Sequence, residues 1–155
     1  MTKPGRRRFL GYGAASLASA LLAALLKPIR ALAADWPKPA FESHQLDDAV
    51  RNLFGTTQAV PSASLKITAP FQAENGASVR FSVTTDLPNV STIAVFVEKN
   101  ERPLIMAMNF THALPYFSLR LKMAQSSDVI AIARSQGKLY SAKQNIKVTV
   151  GGCGG

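Results

Sequence analysis

Apolar and polar residues alternate along much of the chain after residue 60, as expected for strands with one buried face. Ser78–Thr84 alternates strictly, with Val79, Phe81 and Val83 on one face, and Phe117–Lys122 follows the same rule. Weaker alternation or continuous apolar runs predict five more strands, at Ala63–Thr68, Ile93–Val97, Leu104–Phe110, Val129–Ala133 and Asn145–Val150.

Segments rich in Gly, Pro, Asn and Asp separate these strands, for example Asp86–Asn89 and Ser135–Gly137. About seven short strands with turn residues and no helices between them favour an antiparallel arrangement over a parallel sheet. We therefore expect a mainly β fold, an immunoglobulin-like antiparallel β-sandwich over residues 34–150.

One N-terminal helix is predicted before the strands, at about residues 43–54. Its apolar residues recur at helical spacing: Leu46, Val50, Leu53 and Phe54. Ser43 is placed to act as its N-cap, and Gly55 is suited to its C-terminal stop.

The first 33 residues have the pattern of a bacterial twin-arginine export signal. Arg6 and Arg7 form the arginine pair, an apolar run of 16 residues follows from Gly11 to Leu26, and Ala31-Leu32-Ala33 is a small-x-small cleavage site. The run is shorter than the roughly 20 residues that cross a bilayer. We expect the segment to be removed after export to the periplasm, which leaves no membrane anchor.

The export signal changes how the charge is interpreted. It holds six of the 18 Lys and Arg residues and none of the nine acidic ones, so the formal net charge falls from +9 to +3 in residues 34–155. No run of basic residues remains there, which gives nucleic-acid binding little support. The 122 remaining residues suffice for one domain, and a single cysteine excludes an intramolecular disulfide.

The chain ends in Gly151-Gly152-Cys153-Gly154-Gly155, which places its only cysteine between two pairs of glycines. Glycine has the largest conformational freedom and brings no side chain, so residues 151–155 are predicted to form a flexible C-terminal arm that exposes the thiol. An unpaired cysteine in an exported protein indicates intermolecular pairing or a reactive group. The last predicted strand leads directly into this arm.

Cys153 lacks the surroundings of a catalytic nucleophile. An ordinary cysteine is roughly 3% thiolate at pH 7, and no Lys, Arg or His lies within five residues to raise that fraction. His44, in the predicted helix, and His112, in a turn, are interpreted as surface or capping residues because no nucleophile motif accompanies them. We therefore expect a covalent attachment point on which other enzymes act, with no catalytic residue, bound metal or cofactor in this chain.

The twin-arginine signal, the predicted β-sandwich and a final KVTV strand that ends in GGCGG together resemble the SoxY family of the bacterial thiosulfate-oxidising (Sox) system. The resemblance implies that Cys153 carries sulfur intermediates in the periplasm. It implies three enzymes as partners: a haem c enzyme that joins thiosulfate to the cysteine, a hydrolase that releases sulfate, and an oxidase of the remaining sulfane sulfur. It also implies a heterodimer with a SoxZ subunit, a smaller sandwich without its own signal.

Three other functions are compatible with parts of the sequence. Met106 and Met108 share one strand face near His112, and soft ligands suit Cu(I), so a periplasmic copper-binding sandwich is one alternative. A structural domain that forms intermolecular disulfides through Cys153 is the second. The third is a ubiquitin-like carrier that uses its terminal Gly154-Gly155, which the export signal disfavours.

Overall fold

The computed structural model describes residues 36–149 of the 155 in the chain. The chain divides into two units between Trp36 and Pro37, and every helix and strand below belongs to the second unit. Two helices come first, α1 (Lys38–Glu42) and α2 (Leu46–Phe54). Nine strands follow: β1 (Val60–Pro61), β2 (Leu65–Thr68), β3 (Gln72–Ala73), β4 (Val79–Thr85), β5 (Val90–Val97), β6 (Leu104–Asn109), β7 (Tyr116–Leu121), β8 (Ser127–Ser135) and β9 (Lys138–Val148).

The strands form two sheets. The larger sheet has the order β1-β9-β8-β5-β6, with β3 also paired to β9, and the smaller sheet has the order β2-β4-β7. All pairs are antiparallel except the two-residue contacts of β1 and β3 with β9, which are parallel. Both short strands lie on the side of β9 that faces away from β8.

Two apolar clusters hold the layers together. The first lies between the sheets and includes Phe81 and Ile93, with Ile146 of β9 fully buried in it. The second lies between the helices and the outer face of the larger sheet, where Val50 and Phe54 of α2 belong to the same cluster as Phe96 of β5. The larger sheet is therefore covered on both faces, which explains why β5 and β8 are continuous apolar runs.

The predicted fold class is confirmed: the chain is mainly β, with two packed sheets and a short N-terminal helical region. Gly55 ends α2 as predicted, with a φ of 79° and its N–H bonded to the carbonyl of Arg51. The predicted N-cap was wrong, because α2 begins at Leu46 after Gln45, whereas Ser43 follows α1 and its hydroxyl donates to the carbonyl of Pro39.

Two further features of the fold differ from prediction. β9 begins at Lys138, seven residues before the predicted start at Asn145, and it pairs with β8 over its whole first part. His44 lies in the turn between the helices rather than in a helix, where its Nδ1 is 3.1 Å from the carbonyl oxygen of Glu101.

Candidate functional site

The candidate site is the end of β9, because the chain continues from it to Cys153. We call residues 147–149 the β9 terminus. On one side it is bonded to β3: the Lys147 N–H donates to the Phe71 carbonyl at 2.9 Å and the Thr149 N–H donates to the Ala73 carbonyl at 3.0 Å. The Thr149 hydroxyl is also 3.3 Å from the Ala73 carbonyl oxygen. The strand is thus held up to the last described residue.

The opposite side of the β9 terminus is held by a side chain. The Val148 N–H donates to the hydroxyl of Ser126 at 2.9 Å, and that hydroxyl lies 3.4 Å from the Val148 carbonyl oxygen. Ser126 belongs to the loop between β7 and β8, one residue before β8 starts. All three main-chain N–H groups of the β9 terminus therefore have partners within the protein.

Gly76 lets the loop before β8 approach the β9 terminus closely. Its carbonyl accepts from the Met123 N–H at 2.8 Å. A Cβ at this position would be 2.5 Å from the Met123 carbonyl oxygen and 2.9 Å from Cγ1 of Val148, distances that no side chain tolerates. Asn100 fixes the same loop, donating to the Lys122 carbonyl at 2.8 Å and accepting from the Ala124 N–H at 2.9 Å.

A charged cluster fixes β9 to β8 a few residues before the terminus. Asn145 donates to one carboxylate oxygen of Asp128 at 2.7 Å, and the Lys143 ammonium is 3.0 Å from the other. The hydrogen bond from Asn145, followed by that from Lys143, holds the pKa of Asp128 below its ordinary value. The same carboxylate raises the pKa of Lys143.

A shallow groove of about 460 Å³ includes Gly76 and Met123 in its lining, at the end of the sandwich where β9 ends. It is lined by residues of the segments that meet at this end of the sandwich: Gly76, Ala77, Asn100, Glu101, Arg102, Lys122, Met123 and Ala124. Nearby, Phe71 is 64% exposed and the Lys147 ammonium lies 5.1 Å from the centre of its ring. This end of the sandwich thus presents an exposed aromatic ring, that of Phe71, together with charged side chains of both signs.

The structure places the residues of the copper alternative away from this site. Met106 and Met108 are half-buried on β6 and pack against the cluster between the sheets. His112 lines a second cavity of about 460 Å³ at the opposite end of the sandwich, near Asn89 and Phe110. Within residues 36–149 no group of three or more His, Cys, Asp or Glu side chains is placed to hold a metal ion.

The other predicted functional residues lie outside the described residues. These are Arg6 and Arg7 of the export signal, together with the arm residues Gly151, Gly152, Cys153, Gly154 and Gly155. What the sequence analysis missed is the set of contacts that fix the β9 terminus, above all Ala73 and Ser126. A two-residue strand and a loop serine carry no periodic signal by which they could have been found.

Comparison with known proteins gives a family match. The model of the family described as sulfur oxidation protein SoxY matches residues 50–153, a range that ends at Cys153. The structure of the sulfur carrier protein SoxY from Chlorobium limicola f. thiosulfatophilum superposes with a TM-score of 0.63 at 34% sequence identity, over 68% of this chain and 97% of that one.

A variant of the superoxide reductase (neelaredoxin) from Ignicoccus hospitalis also superposes, with a TM-score of 0.50 at 21% identity over 68% of this chain and 93% of that one. At that identity the likeness concerns the fold alone. None of the curated proteins compared with the chain matches it. In the part of the chain from residue 36 to 149, no helix has the length and apolar character needed to cross a membrane.

Proposed function

The chain belongs to the SoxY family of sulfur oxidation proteins, and from that premise we propose that it is a periplasmic carrier that holds sulfur intermediates on Cys153 and presents them to thiosulfate-oxidising enzymes. The single observation that carries the proposal is the family match over residues 50–153, which includes the cysteine. The solved member of the family is a sulfur carrier protein. The single thiol of this chain, on Cys153, is a group that can bind sulfur covalently in the same role.

The proposed cycle uses the enzymes that accompany such a carrier. A haem c enzyme joins the Cys153 sulfur to the outer sulfur of thiosulfate, which forms a sulfur–sulfur bond, releases the thiol proton and passes two electrons, one at a time, through the haem to an electron acceptor. A hydrolase then adds water and releases sulfate, which leaves a persulfide on the cysteine. A sulfane oxidase acts on that terminal sulfur. This chain contributes the attachment point and catalyses none of the steps.

The geometry of the β9 terminus supports this division of roles. Thr149 is bonded to Ala73, and Cys153 follows four residues later. At about 3.3–3.6 Å per extended residue, the Cα of Cys153 can lie no more than about 14 Å from that of Thr149, and its thiol only slightly farther. A carrier of this kind presents its cargo at raised effective concentration to any enzyme that docks beside the β9 terminus. We propose that the four glycines of residues 151–155 provide the slender chain that such access requires.

We further propose that the twin-arginine signal, with Arg6 and Arg7 as its pair, exports the chain to the periplasm. That route moves folded proteins, so a SoxZ-like subunit without its own signal would cross as a heterodimer with this chain. No resident cofactor is part of the proposal, since the sulfur adducts on Cys153 are the cargo.

Reconstituted thiosulfate oxidation with the cognate Sox enzymes tests the proposal. Cys153→Ser should abolish thiosulfate-dependent electron transfer to the haem, because no sulfur atom remains to form the bond. The matched control is Cys153→Ser combined with Thr57→Cys, which moves the only thiol to an exposed loop residue after α2. Both variants should be inactive. Full activity of Cys153→Ser would refute the carrier function, and rescue by Thr57→Cys would refute the role of the arm.

The chief rival, a domain that uses Cys153 for intermolecular disulfides, predicts a different result. In that case the exported protein would migrate mainly as a reducible dimer without sulfur adducts, and thiosulfate oxidation would not depend on Cys153.

A further inference from the structure

The outer face of the smaller sheet carries basic and hydroxyl side chains and no carboxylate. The inward positions of β2, β4 and β7 pack into the cluster between the sheets, so the residues that alternate with them point outward. We call these outward residues the basic sheet face. Three are basic and five carry a hydroxyl: Lys66, Thr68, Arg80, Ser82, Thr84, Tyr116, Ser118 and Arg120.

Two arginines of the basic sheet face lie side by side. Arg80 of β4 is directly opposite Arg120 of β7, and both side chains are exposed. Directly opposite residues have Cβ atoms about 4.5–5.5 Å apart, and two like charges in such a pair destabilise the sheet. Within residues 36–149 neither guanidinium has an ion pair, and the one hydrogen bond printed for either joins Arg120 to the Ser78 hydroxyl at 3.4 Å. Both cations are therefore available to an acceptor outside the fold.

The arginine pair lies at the end of the smaller sheet that is nearest the β9 terminus. Gly76 comes four residues before Arg80, and a Cβ on it would be 2.9 Å from Cγ1 of Val148. The Cα of Arg80 is therefore within about 14 Å of that of Gly76, and the Cα of Cys153 within about 18 Å of that of Val148. A protein seated on the basic sheet face has the thiol within reach.

Positive charge continues from the arginine pair into the groove at the same end of the sandwich. Lys122 and Arg102 line that groove, and Glu101 is the one acidic residue in its lining. Lys122 follows Arg120 by two residues, directly after β7 ends at Leu121. The excess of cations thus extends from the sheet toward the place where the chain leaves β9.

The donor groups of the basic sheet face define the surface that would complement it. Guanidinium and ammonium groups donate hydrogen bonds and accept none, and hydroxyl groups can also donate. Guanidinium groups bind carboxylates through two parallel hydrogen bonds. A row of such donors on an open sheet matches a protein surface rich in Asp and Glu. Charges of opposite sign across such a surface speed association and orient the two proteins.

We propose that the basic sheet face docks the acidic surface of an enzyme that acts on the Cys153 sulfur. The proposal rests on the carrier function and adds to it a surface and the chemistry of the partner. Docking through Arg80 and Arg120 places the enzyme beside the β9 terminus, so the arm has only a short distance to cross. The Coulomb attraction also brings the enzyme and the carrier together before the arm enters.

Neutralising the arginine pair tests the proposal. Arg80→Gln combined with Arg120→Gln removes two charges and relieves the repulsion between the strands, so the fold should be retained. Lys38→Gln combined with Lys138→Gln is the matched control, since it removes two exposed charges from α1 and from the start of β9. The measurement is kcat/KM of the haem c enzyme, the hydrolase and the sulfane oxidase, each with the form of the carrier on which it acts.

At about 0.05 M salt, the arginine variant should lower kcat/KM for at least one enzyme by about fivefold or more, and the control by less than about twofold. At about 0.5 M salt, where the Debye length is roughly 4 Å, the difference between the two variants should vanish. Equal values for both variants with all three enzymes would overturn the proposal, as would a loss that does not depend on salt.

An anionic membrane is the other surface that could complement these cations. Flotation with vesicles of phosphatidylglycerol distinguishes the two. Binding of the unmodified protein to the vesicles that the arginine variant loses, with kcat/KM unchanged, would assign the basic sheet face to lipid and overturn the proposal. Absence of vesicle binding together with the salt-dependent kinetic loss would support it.

Intact mass measurement on the same samples separates this inference from the carrier function. Sulfur adducts on Cys153 with equal kinetics in both variants would refute the docking surface alone. Missing adducts would refute the carrier function. In that case, the affinity of each enzyme for the thiol form of the two variants decides whether the basic sheet face binds an acidic protein surface.

Discussion

The two margins of the larger sheet are built in opposite ways. At one margin β9 has β8 on one side and is bonded on the other by β1, β3 and the Gln144 side chain, which donates to the Ala69 carbonyl at 2.8 Å. At the other margin β6 has β5 on one side and no strand within residues 36–149 on the other. The strand that leads to Cys153 is fixed along its length, while the strand farthest from it keeps free main-chain groups. The sheet therefore has one margin with bonds on both sides and one margin that is bonded on a single side.

The largest expected effect on the free energy of unfolding comes from truncating an apolar side chain at one margin of the sheet, compared with the same change at the other margin. Ile146 of β9 is fully buried, whereas Met108 of β6 is half-buried. Ile146→Ala should lower the free energy of unfolding by about 2–5 kcal/mol because it leaves a cavity between the sheets. Met108→Ala should cost less than about 2 kcal/mol, since its site is already partly open to water. Denaturant unfolding of both variants measures the difference, and equal losses would show that the two margins are equally well packed.

A smaller effect is expected where the loop before β8 meets β9. Gly76→Ala should lower the free energy of unfolding by about 1–3 kcal/mol, because its methyl group overlaps the Met123 carbonyl and the Val148 side chain. Gly137→Ala is the matched control. Its φ of +77° strains any side chain, but no atom lies within 4 Å of the added methyl group.

The readout that separates these two glycine variants is exchange of the Val148 and Thr149 amides. In Gly76→Ala, exchange at these two amides should accelerate by more than the loss of overall stability explains. In Gly137→Ala, it should change only as much as the overall stability does. Unchanged exchange in both variants would mean that the loop does not fix the β9 terminus.

Removing a single hydrogen bond at the β9 terminus should have a smaller effect still. Ser126→Ala deletes the acceptor of the Val148 N–H and should cost about 0.5–1.5 kcal/mol. Exchange of the Val148 amide should increase accordingly. Ser118→Ala, on β7 and away from β9, serves as the control; if it accelerates Val148 exchange equally, the contact to Ser126 has no local role.

The smallest effect concerns the charged cluster and depends on pH. The pKa of Asp128 is lowered in the folded protein, so its contribution to stability is present at neutral pH and is lost as the pH falls below about 4 through the folded-state pKa. Asp128→Asn should therefore lower the free energy of unfolding at pH 7 by about 1 kcal/mol or less, which is measured as a slightly lower melting temperature. The difference from the unmodified protein should vanish near pH 2. A difference that is constant from pH 7 to pH 2 would exclude an electrostatic origin.

Much of the fold could be predicted because several strands have one face in the core and the other in water. β4 and β7 alternate strictly since one face lies on the core and the other faces water. The first half of β9 could not be predicted, because Lys138–Gln144 is largely polar and its strand conformation comes from pairing with β8 and β1. Ser43 was misplaced as a cap because α1, a helix of five residues, gives too short a pattern to be recognised.

The candidate site also has one part that could be predicted from the sequence and one part that could not. Cys153 could be singled out from the sequence by its position among the terminal glycines. The contacts that hold the β9 terminus could not, because they join residues 76 positions apart, as with Thr149 and Ala73. Such pairs are defined only once the two sheets and their loops are assembled.

Fragmentation of the intact exported protein in a mass spectrometer, during thiosulfate turnover by the Sox enzymes, tests the central claim most directly. The account predicts that C-terminal fragments containing Cys153 gain the masses of thiosulfonate and sulfane adducts, while fragments that end before residue 153 gain none. An unmodified C-terminal fragment during full turnover would contradict it.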